Sequence, residues 1–432
     1  MKINPPKNCP KILIISGVWP HIKANKEAAN VISYLITDNI LNDKHFDVSY
    51  MYLNFQPQIV PDEAAFEINS LSNRGVKFHE KIIPIKKNGR KTQVLRMIKG
   101  LMPGSGKHGA IIDVIKNEEV DAILTIWSEF GTQVASGLDI PVYAYYGNPE
   151  PKVLDARLTL NRQFKDKYFL EQIRSKFLNW LVVKFTEYAH LKVMRKLKFV
   201  FEVAKNDAEY YQSHGVSSSY LNNIWPGDLK GEYNLLRDIK QQGQIIKICG
   251  NVGKISATGN SFGLITIANE ILPKLKKRLG KGMFEIHLYG GGELNPKIAK
   301  LLNDSHIKIR GFVDDLDAEI ASSDIFLIAN NHNRFKVGHT RFMHAWSLGS
   351  TVVAFDDCCL AMPEIKDNEN ALLGKTVDEI IEHICSASAN VSLRKKLAKG
   401  GQRTLIEHFS PKKVVNKIVK HIYMDLKNIK AR

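Results

Sequence analysis

Cysteine, acidic side chains and long apolar runs are all scarce in this chain, and each scarcity removes a class of protein. Of 432 residues only Cys9, Cys249, Cys358, Cys359 and Cys385 are cysteine, an odd number with no two in a C-x-x-C pair. Neither a disulfide framework nor a cysteine zinc site is indicated. The adjacent Cys358 and Cys359 follow a strand, where successive side chains point to opposite faces, so joint metal binding is not expected. Residues 1–10 are polar and proline-bearing, with no apolar stretch before Lys11, so no secretory leader is expected and a cytoplasmic location is. No apolar run approaches the roughly 18 residues of a spanning helix, which leaves only peripheral membrane contact. Acids are too few for the bases: 61 Lys and Arg against 44 Asp and Glu leave a net charge of +17. Such an excess points to polyanionic partners: nucleic acid, an anionic membrane surface, or phosphorylated small molecules. Nucleic acid is the least favoured, because no helix-turn-helix, RNP or OB-type signature accompanies the charge.

What is present is an alternation of short apolar runs with helical patterns, the signature of parallel-sheet α/β architecture. Strands are expected at Lys11–Ser16, Phe46–Leu53, Val76–Ile85, Asp121–Ile126, Pro141–Tyr146 and Phe199–Val203. The polar stretch 227–244 then reads as a linker. Five more strands follow, at Ile245–Cys249, Phe284–Tyr289, Ile307–Arg310, Ile325–Ala329 and Thr351–Phe355. The expected organisation is a Rossmann-like domain over 1–226, a linker over 227–244, a second Rossmann-like domain over 245–409, and a final helix over 410–432. Ser410 and Pro411 open that helix as cap and first-turn residue, and Val414, Val415, Ile418, Val419 and Ile422 share one face.

In open α/β sheets, ligands sit beyond the carboxyl ends of the strands. Three loops at such ends in the second domain are glycine-rich: Gly250-Asn251-Val252-Gly253-Lys254, Gly290-Gly291-Gly292-Glu293, and Val337-Gly338-His339-Thr340-Arg341. Glycines admit a ligand close to the backbone, and free N–H groups at a helix start attract phosphate. A single such loop could merely end a strand; three on one side of one sheet point to binding. In the first domain His21, Glu129, Asn148 and Glu150 follow strands, and each can alternatively be a capping or solvated loop residue. A P-loop look-alike at residues 104–108 has the wrong glycine spacing, His108 in place of Ser or Thr, and no preceding strand, so it is rejected.

The order of segments I-C-G-N (248–251), I-H-L-Y-G-G-G-E (286–293), I-R-G-F-V-D-D-L (309–316), S-S-D-I-F-L-I-A (322–329) and G-H-T-R-F-M-H-A-W-S-L-G-S-T-V-V-A-F-D (338–356) resembles the nucleotide-binding half of GT-B glycosyltransferases of the family 4 type. Met362-Pro363-Glu364-Ile365 and Glu369-Asn370-Ala371-Leu372-Leu373 resemble the loop that follows in that family. The resemblance implies a GT-B fold, with two doubly wound domains facing a cleft and a C-terminal helix crossing back to the first. It also implies a retaining transfer of sugar from a nucleotide diphosphate donor to a saccharide or lipid-linked acceptor of envelope or glycoconjugate synthesis. A non-catalytic partner subunit and a sugar-nucleotide epimerase share the architecture and remain alternatives.

Arg341 and Lys254, from the aligned donor loops, and Asn148 and His21, from their places after strands of the first domain, are the candidate catalytic residues. Gly250, Asn251, Gly291, Gly292, Val313, Lys336, Gly338, His339, Thr340 and His344 are the candidate donor-binding ones. Cleavage of the anomeric bond leaves charge on the diphosphate, which Arg341, Lys254 and the amides of Gly338 to Thr340 can meet. Gly291, Gly292 and the backbone near Val313 would hold base and ribose. No cofactor and no metal are expected, since fixed side chains take the place of Mg²⁺. The sequence departs from the family where its two glutamates stand: those places are Lys336 and His344. Lys336 suits a donor sugar that carries a carboxylate.

Positive charge is concentrated in two places. Residues 81–107 hold eight bases and no acid, and residues 157–198 interleave Phe177, Trp180, Leu181, Phe185 and Tyr188 with Arg174, Lys176 and Lys184. Those aromatics are expected either as core with a solvated basic face, or as a basic amphipathic surface for anionic lipid at the inner face of the cytoplasmic membrane.

Overall fold

The structure is a computed structural model, which describes residues 9–22, 28–54, 62–82, 95, 109–164, 169–225, 229, 245–280, 282–330 and 340–431. The chain divides into two compact units, one of residues 1–151, 175–226 and 409–432, the other of residues 152–174 and 227–408.

The first unit is built on seven parallel strands: β1 (Lys11–Ser16), β2 (Asp47–Asn54), β3 (Lys77–Ile82), β4 (Ala122–Ile126), β5 (Val142–Tyr146), β6 (Phe199–Glu202) and β7 (Ser218–Tyr220), in the order β3-β2-β1-β4-β5-β6-β7. β1 shows why the sheet is covered on both faces. Ile12 and Ile14 join one core with Val31, Ile32 and Ile36 of the helix Ala28–Asp43, while Leu13 and Ile15 join another with Ile111, Ile115 and Met194. A continuous apolar strand is what burial on both faces demands. The helix Pro411–Lys430 seals the first of these cores with Val414, Val415, Ile418, Val419 and Ile422. Asp425 on it accepts a hydrogen bond from the Tyr143 hydroxyl at 2.8 Å.

β8 (Ile246–Asn251), β9 (Phe284–Tyr289), β10 (Ile307–Gly311), β11 (Ile325–Ile328), β12 (Val352–Phe355) and β13 (Leu372–Gly374) form the second sheet, ordered β10-β9-β8-β11-β12-β13 and parallel throughout. The helix Thr340–Ser347 is clamped from behind: Trp346 is fully buried and donates to the Asn370 carbonyl at 2.9 Å, and a side chain at Gly401 would collide with its ring.

Both sheets gain a short strand that periodicity could not show. β7 and β13 are only three residues each, too short for an alternation to register. β8 also runs two residues past the expected Cys249, through a register shift at Gly250. That glycine is needed for packing, since a Cβ would lie 2.6 Å from the Ile286 side chain. Residues 152–174 group with the second unit, although they precede the linker in sequence. The reason is apolar: Ala156 and Leu160 of the helix Glu150–Gln163 pack on Phe262.

Candidate functional site

The second unit's strand ends are joined by backbone. Gly253 (φ +94°) and Gly290 (φ +132°) lie so close that a Cβ on Gly290 would overlap the Gly253 carbonyl. The Gly290 amide donates to the Gly311 carbonyl at 2.7 Å, and the Ile255 amide to the Gly291 carbonyl at 3.0 Å. Only glycine supplies positive φ together with such an approach. Gly291 and Gly292 remain exposed on the outer side of this junction, and the Lys254 stem passes over Gly292.

Asn251 stands at the centre of the junction, buried. Its side-chain amide donates to the Tyr289 carbonyl at 3.0 Å and to the Gly253 carbonyl at 3.2 Å, so both its N–H groups brace loops. The helix Thr258–Thr266 starts just beyond, with Ala257 as its cap and no side-chain acceptor for its first amides. An uncapped start favours an anion, because the free N–H groups and the helix dipole both point that way.

Arg341, the second residue of the helix Thr340–Ser347, reaches this junction through two asparagines. Its Nη1 donates to Asn330 Oδ1 at 3.0 Å, Asn330 Nδ2 donates to Asn260 Oδ1 at 3.4 Å, and Asn260 Nδ2 donates to the Lys254 carbonyl at 2.8 Å. Burial pushes the Arg341 guanidinium down to about 10, still cationic at neutral pH. Gly263 has to be glycine for this relay, since a Cβ there would lie 2.7 Å from Asn330 Oδ1. Thus Arg341 and Lys254, far apart in sequence, belong to one hydrogen-bonded chain. Asn260, Asn330 and Gly263 were not singled out in the sequence, because an asparagine carries no motif until its partners are in place.

His344 lies one turn beyond Arg341, with Nε2 2.6 Å from Asp317 Oδ1. Asp317 is in the short helix Leu316–Ala321, which Asp315 caps by accepting from the Ala318 amide at 2.9 Å. A carboxylate therefore stands beside the position where the resemblance would put a glutamate. Before this helix, Val313 is half-buried and Phe312 is 83 % exposed, following Gly311 with its φ of +66°. Thr340 opens the Arg341 helix, whereas Lys336, Gly338 and His339 lie outside the described residues.

In the first unit the strand ends carry side chains under constraint. Trp127 after β4 has φ +44° and Asn148 after β5 has φ +67°, values that non-glycine residues seldom adopt. Trp127 Nε1 and Asn148 Oδ1 are both buried without a hydrogen-bond partner. Gly147, which precedes Asn148, packs near the Trp127 ring: a Cβ there would lie 3.5 Å from Trp127 Nε1 and 2.9 Å from the Val203 side chain. His21 is buried after β1, where the neighbouring Ile22 amide donates to Glu67 at 2.6 Å. Glu129, by contrast, serves the scaffold: its Oε1 is 2.8 Å from Nδ1 of the buried His190, whose Nε2 is 2.8 Å from the Tyr211 hydroxyl. Sequence reading passed over Trp127, since a tryptophan ending a strand looks like core. Among the described residues no cluster of His, Cys, Asp or Glu could hold a metal ion.

Two parallel doubly wound sheets with these loops at their carboxyl ends define a GT-B fold, and solved structures agree over nearly the whole chain. Sucrose-phosphate synthase of Thermosynechococcus elongatus has a TM-score of 0.64 at 12% identity, covering 97% of this chain and 100% of its own. HepE of Anabaena in complex with UDP and glucose has 0.59 at 12% identity, covering 96% and 99%. An S. aureus TarM variant in complex with fondaparinux, alpha-GlcNAc-glycerol and UDP has 0.59 at 9% identity, covering 95% and 99%. No curated protein sequence matches. Residues 246–390, within the second unit, match the family described as glycosyl transferases group 1.

Proposed function

We propose that this protein transfers a sugar from a nucleotide diphosphate sugar to a saccharide or lipid-linked acceptor, with the donor held at the strand ends of the second unit. The observation that carries this reading is the relay from Arg341 through Asn330 and Asn260 to the Lys254 loop. It fixes a half-buried cation beside the uncapped start of the helix Thr258–Thr266. Diphosphate charge grows as the anomeric bond breaks, so cations and N–H donors held in place stabilise the transition state more than the ground state. Fixed cations then do what a metal ion would do elsewhere. Gly291 and Gly292 admit the nucleoside, and Phe312 offers it an aromatic face.

The pair His344 and Asp317 supports altered donor recognition over loss of activity. Together they offer a ribose hydroxyl both ring nitrogen and carboxylate oxygen, much as a glutamate would alone. On the acceptor side, the unsatisfied Trp127 Nε1 and Asn148 Oδ1 suit sugar hydroxyls. A retaining outcome follows if the leaving phosphate itself takes the acceptor proton, which dispenses with a protein base. The test is a panel of UDP, GDP, ADP and CMP sugars, including a uronic-acid donor, scored by thermal shift and nucleotide release. Stabilisation by one nucleotide with turnover only when acceptor is added is the expected result. Stabilisation by none would overturn the reading, and product without acceptor would mean an epimerase.

A further inference from the structure

The helix Phe169–Met194 carries an apolar stripe that stands about half exposed. Ile173, Phe177, Trp180 and Tyr188 follow one another in steps of four, three and eight, which places all four on one side. They are 51 %, 58 %, 54 % and 50 % exposed, and the Phe177 and Trp180 rings stack at 6.0 Å. Helices normally bury such a side and turn their charges to water. Here the last turn and a half of the helix is inside, with Ala189, His190, Leu191 and Met194 buried, while the stripe from Ile173 to Tyr188 stays outside. Sequence reading left these aromatics open between core and surface, and the structure puts three of them on the surface.

Charge narrows what can cover the stripe. Lys184 stands within it, exposed Arg174 and Lys192 share one flank, and exposed Lys176 lies on the other. The acid on this side, Glu187, is engaged by Lys184 at 2.7 Å and by the Tyr210 hydroxyl at 3.0 Å. Glu171 falls on another side of the helix. An apolar stripe bordered by cations matches the interface of an anionic bilayer, where rings enter the acyl boundary and ammonium groups meet phosphates. It fits a second copy of this chain poorly, since such a contact would set these bases against themselves. No described helix is long and apolar enough to cross a membrane, so the contact would lie in the plane of the surface.

We propose that this stripe docks the protein on anionic lipid, aromatic rings down and Lys176, Lys192 and Arg174 at headgroup level. The inference concerns placement and is independent of donor chemistry. The full chain is floated with vesicles of phosphatidylcholine alone or of phosphatidylcholine and phosphatidylglycerol in equal parts, at low and high salt. Recovery with anionic vesicles only, reduced by salt, is expected. Phe177→Ser with Trp180→Ser, and separately Lys176→Glu with Lys192→Glu, should each cut recovery at least fivefold while leaving the circular dichroism spectrum and nucleotide affinity unchanged. Because the side chains are exposed, these variants are not expected to unfold the chain. Equal recovery with both vesicle types, no recovery with either, or recovery indifferent to both variants would overturn the proposal. A concentration-dependent doubling of mass that the serine pair abolishes would reassign the stripe to a second copy.

Discussion

The two sheets repeat one topology and treat their strand ends in opposite ways. In the second unit the loops are glycine, and Gly253, Gly290 and Gly311 are drawn together by backbone bonds until carbonyl meets α-carbon. In the first unit the strand ends with positive φ are instead those after β4 and β5, where Trp127 and Asn148 adopt it in spite of their side chains. Backbone amides suit a diphosphate, whose oxygens are alike and richly charged. Side chains suit a ligand whose hydroxyls differ in position. Under the function proposed above, one fold would hold two kinds of recognition, and the difference would lie in the loops.

The sharpest way to break the contrast is to put a side chain where the second unit needs none. Gly290→Val should destabilise that unit by about 3 to 5 kcal/mol, combining backbone strain with overpacking against Gly253. A melting curve with a lowered first transition, and calorimetry showing no nucleotide binding, would establish it. A variant that melts like wild type would mean the loops can part freely.

Arg341 comes next. Arg341→Met should weaken diphosphate binding by about 1.5 to 3 kcal/mol, the range for a charge-assisted hydrogen bond. Burial lowers the arginine to about 10, so the folded state loses stability by holding the charged form at neutral pH and recovers it as pH rises through that value. The empty variant should therefore melt no lower than wild type, although it binds worse. Nucleotide affinity of the wild type should be flat from pH 7 to 9 and fall as Arg341 deprotonates above about 10, readable by titration calorimetry across pH.

Trp127→Phe tests the other half of the comparison. Removing an N–H that has no partner should leave stability nearly unchanged, while acceptor turnover drops about tenfold, or ~1.4 kcal/mol, with donor KM unaltered. Initial rates at varied acceptor would show it. The smallest effect is expected from Asp317→Asn, which keeps the bond to His344 but loses charge. About 0.5 to 1 kcal/mol of nucleotide affinity should go, and binding of the free base should not change. Equal loss for base and nucleotide would place Asp317 away from the ribose.

Much of this was legible before folding. Lys11–Ser16 and Phe284–Tyr289 appear as strands at the boundaries expected, because a strand buried on both faces is a closed apolar run with polar edges. Arg341 in a first helical turn was already out of keeping with the dipole there, and the structure places it in the relay to Lys254. Asn251 reads differently once folded. It occupies a position that the resemblance gave to the donor, and its amide is spent on Tyr289 and Gly253. The bond to Gly253 is local, whereas the one to Tyr289 spans 38 residues and exists only once β8 and β9 are paired.

Sequence alone determined the two-sheet α/β class, the glycine loops at the ends of β8 and β9, and the apolar face of the last helix. These are properties of period, composition and spacing, which short stretches of chain express by themselves. Tertiary structure alone decided that Asp317 stands beside His344, that Asn330 and Asn260 connect Arg341 to Lys254, and that Trp127 Nε1 and Asn148 Oδ1 are buried with no hydrogen-bond partner. It also decided that Phe177 and Trp180 lie open while Leu191 and Met194 of the same helix are buried. Each of these is a relation between residues remote in sequence. Which groups meet, and which are left without a neighbour, is set only when the sheets close and the helices are laid upon them.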